Sequence, residues 1–217
     1  MFVTLGDRGE AQAGCGVRSP FKACVVPRPI GWISSVDGAG RRNLAPFSFF
    51  NAISEAPPLV MFCANGEHLE GGEKDSVRNV RATGEFVVNL ATYELREAVN
   101  ASSAEVPREV DEFELAGLEA AASTLVRPPR VARSPVALEC RLVQIIELPV
   151  GPQGEIGRMV IGRVLGIHLA EHAIVEGRVA SARLRPLARL GYRDYAVIES
   201  TFAMARPADA PAPGERR

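Results

Sequence analysis

None of the four cysteines, Cys15, Cys24, Cys63 and Cys140, belongs to a CxxC pair, which removes the usual zinc and dithiol patterns. Three of them lie in apolar runs, where cysteine acts as a small hydrophobe, and a reducing cytoplasm is the expected setting. No basic excess exists: 25 Lys and Arg stand against 26 Asp and Glu, for a net charge of −1. A nucleic-acid partner is therefore not expected. No apolar run approaches the ~18 residues that a membrane span needs, and the N-terminus has no basic stretch leading into an apolar one, so no signal peptide is expected. No GxSxG elbow, no GxGxxG after a strand and no GxxxxGK[ST] loop occurs. The carboxylates form no recognisable acid–base pair.

What remains is a chain of 217 residues with 47% hydrophobic content, enough for one sizeable core. Residues 1–19 and 206–217 read as irregular tails, and 20–205 as one domain. Alternating or apolar runs bounded by Gly, Pro and Asp predict strands at Ala23–Val26, Ile30–Val36, Arg41–Ala45, Leu59–Ala64, Glu85–Leu90, Val136–Leu148, Met159–Leu169, Asp194–Ile198 and Thr201–Met204. Ile30–Val36 and Arg41–Ala45 form a hairpin through Asp37-Gly38-Ala39-Gly40. Gly162 and Gly166 mark bends in a long strand. Helices are expected at Asp75–Ala82, capped by Asp or Ser, at Tyr93–Asn100 after Thr92, and at Leu184–Leu190. Many strands and few helices predict a barrel or sandwich with helical decoration.

Three stretches carry possible chemistry. His168-Leu169-Ala170-Glu171-His172 matches HxxEH, but zinc needs both histidines on one helix face, and this pattern begins in a β run. It reads as a surface turn, with no metal or catalytic residue assigned. Gly71-Gly72-Glu73-Lys74-Asp75-Ser76 offers free backbone, an ammonium and a helix start, which suits either a phosphate cradle or an ordinary capped helix. Asn43 to Phe50, NLAPFSFF, reads as an apolar, proline-stiffened loop. A barrel corner explains its phenylalanines, but Asn43 and Ser48 need polar partners if buried. A large flat cofactor with one polar edge would use both.

Taken in order, Pro27-Arg28-Pro29-Ile30-Gly31-Trp32-Ile33-Ser34-Ser35-Val36-Asp37, Arg42 to Asn51, Pro57 to Phe62, Lys74 to Asn79, Gly84 to Asn89, Val110-Asp111-Glu112-Phe113 and Ser134 to Cys140 resemble the flavin reductase-like family of FMN-binding split barrels. That family includes flavoredoxin and the reductase components of two-component monooxygenases. The resemblance spans about residues 21–205. It implies a mainly β fold: a six-stranded antiparallel Greek-key split barrel with a few peripheral helices, usually a homodimer. It implies FMN, or FAD, as the cofactor and NAD(P)H as co-substrate, with electrons passed to a separate monooxygenase component or another acceptor. A flavoredoxin-like electron carrier that does not oxidise nicotinamide is the alternative. Matched residue by residue, Trp32, Ser34, Ser35 and Val36 would line the flavin or hold its ribityl and phosphate end. Asn43, Ala45, Ser48 and Phe49 would meet the ring, and Lys74 and Ser76 the phosphate. Cys63 stands where the family would place serine, and Asn65 to Glu73, with His68, reads as an insertion.

Overall fold

The computed structural model describes residues 2–7, 9–11 and 16–205; the segment 206–217 and Cys15 lie outside them. In chain order the elements are α1 (Phe21–Cys24), β1 (Arg28–Pro29), β2 (Gly31–Val36), β3 (Arg42–Phe47), β4 (Phe50–Ser54), β5 (Leu59–Ala64), α2 (Asp75–Thr83) and β6 (Glu85–Leu90). Then come α3 (Arg96–Ala101), preceded by a 3-10 turn, α4 (Glu112–Leu115), β7 (Ala120–Ala121), β8 (Arg130–Val131), β9 (Val136–Glu147), β10 (Arg158–Leu169), β11 (Ile174–Val175), β12 (Arg178–Val179), α5 (Ser181–Leu184), β13 (Leu187–Arg189) and β14 (Tyr195–Val197).

One antiparallel sheet dominates, in the order β3-β2-β6-β9-β10-β5-β4. Its two end strands, β3 and β4, are consecutive in the chain and separated only by Ser48 and Phe49. The sheet therefore curls until its ends meet, with the Phe47 ring of β3 5.0 Å from the Phe62 ring of β5. This is the expected split barrel, with seven strands in place of six. The extra strand is β4, which falls at the end of the stretch read as a loop. Of NLAPFSFF, the first five residues belong to β3 and the last begins β4. Pro46 is tolerated in β3 because that strand ends the ladder, where a missing N–H costs no cross-strand bond.

Both faces of β2 are buried, so all six of its residues are out of solvent. Ile33 points into the barrel with Phe62, Phe86, Val88, Cys140 and Val160, where Val77 and Val80 of α2 close the core. Trp32 faces the other way, into a second core with Leu44, Leu95, Val99, Phe113 and Leu187. That second core seats α3, α4 and the C-terminal strands on the outside of the barrel.

The 37–40 turn forms as expected. Asp37 N–H donates to the Arg41 carbonyl at 3.0 Å, its carboxylate accepts from Ala39 N–H at 2.8 Å, and Gly40 takes a positive φ of 84°. Three expectations fail. Residues 23–26 are not a strand: α1 occupies Phe21–Cys24, between Pro20 and Pro27. The helix expected over 184–190 ends at Leu184, because Pro186 cannot continue it, and Leu187–Arg189 pairs with β1 and β14 instead. Residues 201–204 have no ladder partner, and Phe202 and Met204 project into solvent. As for HxxEH, His168 ends β10 while His172 lies in a short 3-10 turn, so the two do not share a helix face. The His168 ring nitrogen instead lies 2.5 Å from Glu139.

Gly162 is where β10 shifts register against β9. A Cβ there would sit 2.3 Å from the buried Phe86 ring. Gly162→Ala should therefore cost about 1–3 kcal/mol by overpacking. Urea denaturation followed by circular dichroism checks this, and an unchanged midpoint would show that the ring can step aside.

Candidate functional site

A cleft of about 190 Å³ opens beside the N-terminus of α2. Its floor is the C-terminal half of β3, with Ala45, Pro46 and Phe47 exposing an apolar wall. One end is polar: Asn43, Lys74, Asp75 and Ser76 converge there. The facing wall is the segment Ser102 to Val106, which follows α3.

A buried polar network holds the polar end together. The Asn43 side-chain amide donates to Ser76 Oγ at 2.9 Å and lies 3.4 Å from Ser35 Oγ. Asn79 of α2 donates to the same Ser35 Oγ at 3.2 Å. These bonds tie the first two turns of α2 to the β2–β3 hairpin and so fix where Lys74 stands. The Asn79 side-chain oxygen is buried with no partner among the described residues, a cost accepted behind the cleft. Lys74 Nζ meets Glu105 Oε1 at 2.8 Å, with the lysine side chain mostly covered and Glu105 largely exposed.

The facing wall is positioned from beneath. Trp32 Nε1 donates to Ser102 Oγ at 2.9 Å, and Ser102 in turn donates to the Val99 carbonyl at 3.2 Å. The insertion is pinned as well. His68 Nδ1 accepts from Glu70 N–H at 3.1 Å, which leaves Nε2 to carry the hydrogen toward the Val106 carbonyl and Asp75, each at 3.2 Å. Arg108 bonds the Gly71 carbonyl at 2.7 Å and pairs with Asp75.

Glu112, nearly buried, also lines the cleft, and its Oε2 accepts from Leu44 N–H at 3.0 Å. Burial pushes its carboxyl up to about 7, with Asp75 and Asp111 adding to the rise against two backbone hydrogen bonds that oppose it. Its protonation therefore changes near neutrality.

The residues predicted for binding divide into three groups. Asn43, Ala45, Lys74 and Ser76 come together in the cleft. Ser48 lies farther along, in a groove that shares Pro46 and Ser103 with the cleft, Phe49 lines a further groove beyond that one, and Ser35 stands behind Asn43 in the network. Trp32, Ser34 and Val36 do not reach the cleft: all are buried. Ser34 Oγ is committed to the Pro129 carbonyl at 2.5 Å and to Asn89 at 3.1 Å. The phosphate-cradle reading needs amending. Gly71 N–H is used by the His68 carbonyl, and neither Gly71 nor Gly72 lines the cleft. Nor does Asp75 or Ser76 cap α2; the N-cap is Lys74, without a side-chain bond. His68, Ser102 to Glu105 and Glu112 were not assigned from sequence. Of these, Glu112 lay within the Val110-Asp111-Glu112-Phe113 motif and His68 within the insertion, but neither was given a role.

The flavin reductase-like domain model matches residues 23–196. The chain belongs to the flavin reductase-like family. It is 37% identical over 185 residues to an uncharacterised protein of Halalkalibacterium halodurans, covering 84% of this chain and 87% of that one. Among solved structures it resembles nitrilotriacetate monooxygenase component B of Bacillus cereus, at 32% identity and a TM-score of 0.78, covering 85% of this chain and 90% of that one. It also resembles the 2-nitrobenzoate 2-nitroreductase of Pseudomonas fluorescens, at 28% identity and a TM-score of 0.76, covering 89% and 92%. These relationships support a flavin-related oxidoreductase.

The cleft residues fit a flavin. An apolar wall suits a flat ring, and an ammonium beside a serine hydroxyl at a helix start suits a phosphate. The orphaned Asn79 oxygen shows that the network behind Asn43 retains spare polar capacity.

Because the Glu112 carboxyl is raised on folding, its protonated form favours the folded state. That stability is complete below about pH 4.3, the ordinary glutamate value, and is lost as pH rises through about 7. Glu112→Gln should remove this loss, so the variant gains on the order of 3 kcal/mol relative to wild type between pH 4.5 and 8. Thermal unfolding of both proteins across that range measures it; parallel curves would mean that Glu112 stays ionised.

Proposed function

We propose that the protein is an NAD(P)H-dependent flavin reductase that binds FMN, or FAD, in the cleft. The observation that carries this reading is the placement of Lys74 and Ser76 at one end of the Ala45-Pro46-Phe47 wall. Bound flavin would supply hydride acceptance from nicotinamide and electron delivery onward. The chain's own residues bind and orient. Lys74 neutralises the phosphate once it leaves Glu105, and Ser76 adds a hydroxyl. Ala45 to Phe47 set the plane of the ring by contact along one face. Asn43 donates to Ser76 Oγ at 2.9 Å and so holds that hydroxyl at the phosphate end. No side chain needs to move a proton in the hydride step, so positioning is the protein's main contribution.

The likeness to a monooxygenase component favours a separate oxygenase as acceptor. A homodimer belongs to the same reading, favoured by the exposed Leu125, Val143 and Ile167. A cytoplasmic setting fits the free thiols of Cys24, Cys63 and Cys140. No described helix is long and apolar enough to cross a membrane.

Lys74→Ala should weaken FMN binding by about 1.5–3 kcal/mol, the value of one hydrogen bond to a charged group. Titration of flavin fluorescence reads this, and unchanged affinity removes Lys74 from the phosphate end. Stopped-flow mixing of the FMN-loaded protein with NADH and with NADPH tests the activity. Bleaching of the visible flavin band is expected with at least one of them; no bleaching with either leaves an electron carrier.

A further inference from the structure

Two more grooves lie beyond the cleft, the first abutting it and the second abutting the first. The first, of about 460 Å³, shares Pro46 and Ser103 with it and is lined also by Ser48, Arg189, Arg193 and Tyr195. The second, of about 350 Å³, shares Ser48 and Arg189 with the first and adds Lys22, Arg28 and Phe49. Among the described residues, no carboxylate lines either groove. Among the described residues, none of Lys22, Arg28, Arg189 and Arg193 forms an ion pair.

This is an unusual concentration of unpaired positive charge in a chain of net charge −1. Arg28 is only 6% exposed, and its Nε is buried without a partner among the described residues. It sits directly across the β1–β13 ladder from Arg189, and burial together with that neighbour lowers its affinity for its proton. Arg28 is held by the Val25 carbonyl at 2.6 Å and the Leu190 carbonyl at 2.8 Å. Arg189 is fixed by the Tyr192 carbonyl and stacks over the Tyr195 ring at 4.5 Å. Both guanidiniums are thus preorganised, and an anion between the cations would relieve a repulsion that the fold leaves standing.

The charge count identifies the anion. A pyrophosphate bridge carries about two negative charges, and a phosphate monoester a further 1.5 to 2. NADH offers only the first and NADPH offers both. Four cations with no acid among them match the larger total. We propose that Lys22, Arg189 and Arg193, backed by Arg28, form the phosphate subsite of the second nucleotide and select NADPH over NADH through its 2′-phosphate. The site rests on the flavin reading, because the first groove shares Pro46 and Ser103 with the proposed flavin cleft. Tyr195 and Phe49 offer aromatic faces beside the cations for the adenosine or nicotinamide.

The test is calorimetric titration of the FMN-loaded protein with 2′,5′-ADP and with 5′-AMP, ligands that cannot donate hydride. Wild type should bind 2′,5′-ADP roughly tenfold or more tightly than 5′-AMP, the factor that one charge-assisted contact supplies. The exposed pair Lys22→Ser and Arg193→Ser should erase that preference while FMN affinity is retained. Equal affinity for the two ligands in wild type, or a preference that survives the double substitution, overturns the proposal. The KM for NADPH relative to NADH should rise in the same variant, and an unchanged ratio counts equally against it. The flavin assignment fails on the FMN titration and the groove on the 2′,5′-ADP titration, so the two failures are separable.

Discussion

The bonds among Ser35, Asn43, Ser76 and Asn79 join two elements that lie far apart in the sequence. One is the β2–β3 hairpin, and the other is the start of α2, more than 30 residues later. Buried amides and hydroxyls cannot be left without partners at low cost, so the helix can settle on the barrel in only one register. That register sets Lys74 over the end of β3. Apolar packing of Val77 and Val80 supplies the adhesion, but it would tolerate sliding; the polar network does not.

The opposite wall depends on a residue on the far face of the same strand. Trp32 fills the second core and lends its single N–H to Ser102. β2 therefore serves both sides of the cleft, Ser35 through one face and Trp32 through the other. This explains why Trp32 belongs to the site's architecture without touching its interior. A strand with both faces buried gives no alternation of polar and apolar residues to read, so the direction of each of its side chains was not legible in the sequence.

Much else was legible. The long strands β9 and β10 announced themselves through apolar length, and the hairpin through Asp37 and Gly40. The stretch NLAPFSFF misled because proline in a strand usually argues against one; only the position of β3 at the end of the ladder permits it. Residues 184–190 misled because apolar spacing there fits a helix, yet Pro186 redirects the chain into a strand. At the site, Lys74 and Ser76 were readable from the helix start and Asn43 as a polar group in an apolar stretch, whereas Ala45 came only from the resemblance to the family. Glu112 was inside a recognisable motif, but its role depends on burial, which spacing does not encode. Arg189 and Arg193 reach the grooves only because β13 pairs with β1, a contact across 160 residues of chain.

The Lys74–Glu105 pair is a place-holder. Glu105 lies largely in water and Lys74 mostly out of it, so the bond between them is weak in the way exposed ion pairs are. It nevertheless keeps the ammonium company until a ligand arrives. A phosphate entering the cleft trades one counter-ion for another; it does not meet a bare charge. Such an exchange gives up part of the attraction that an unpaired lysine would offer, and it lowers the barrier to leaving by the same measure.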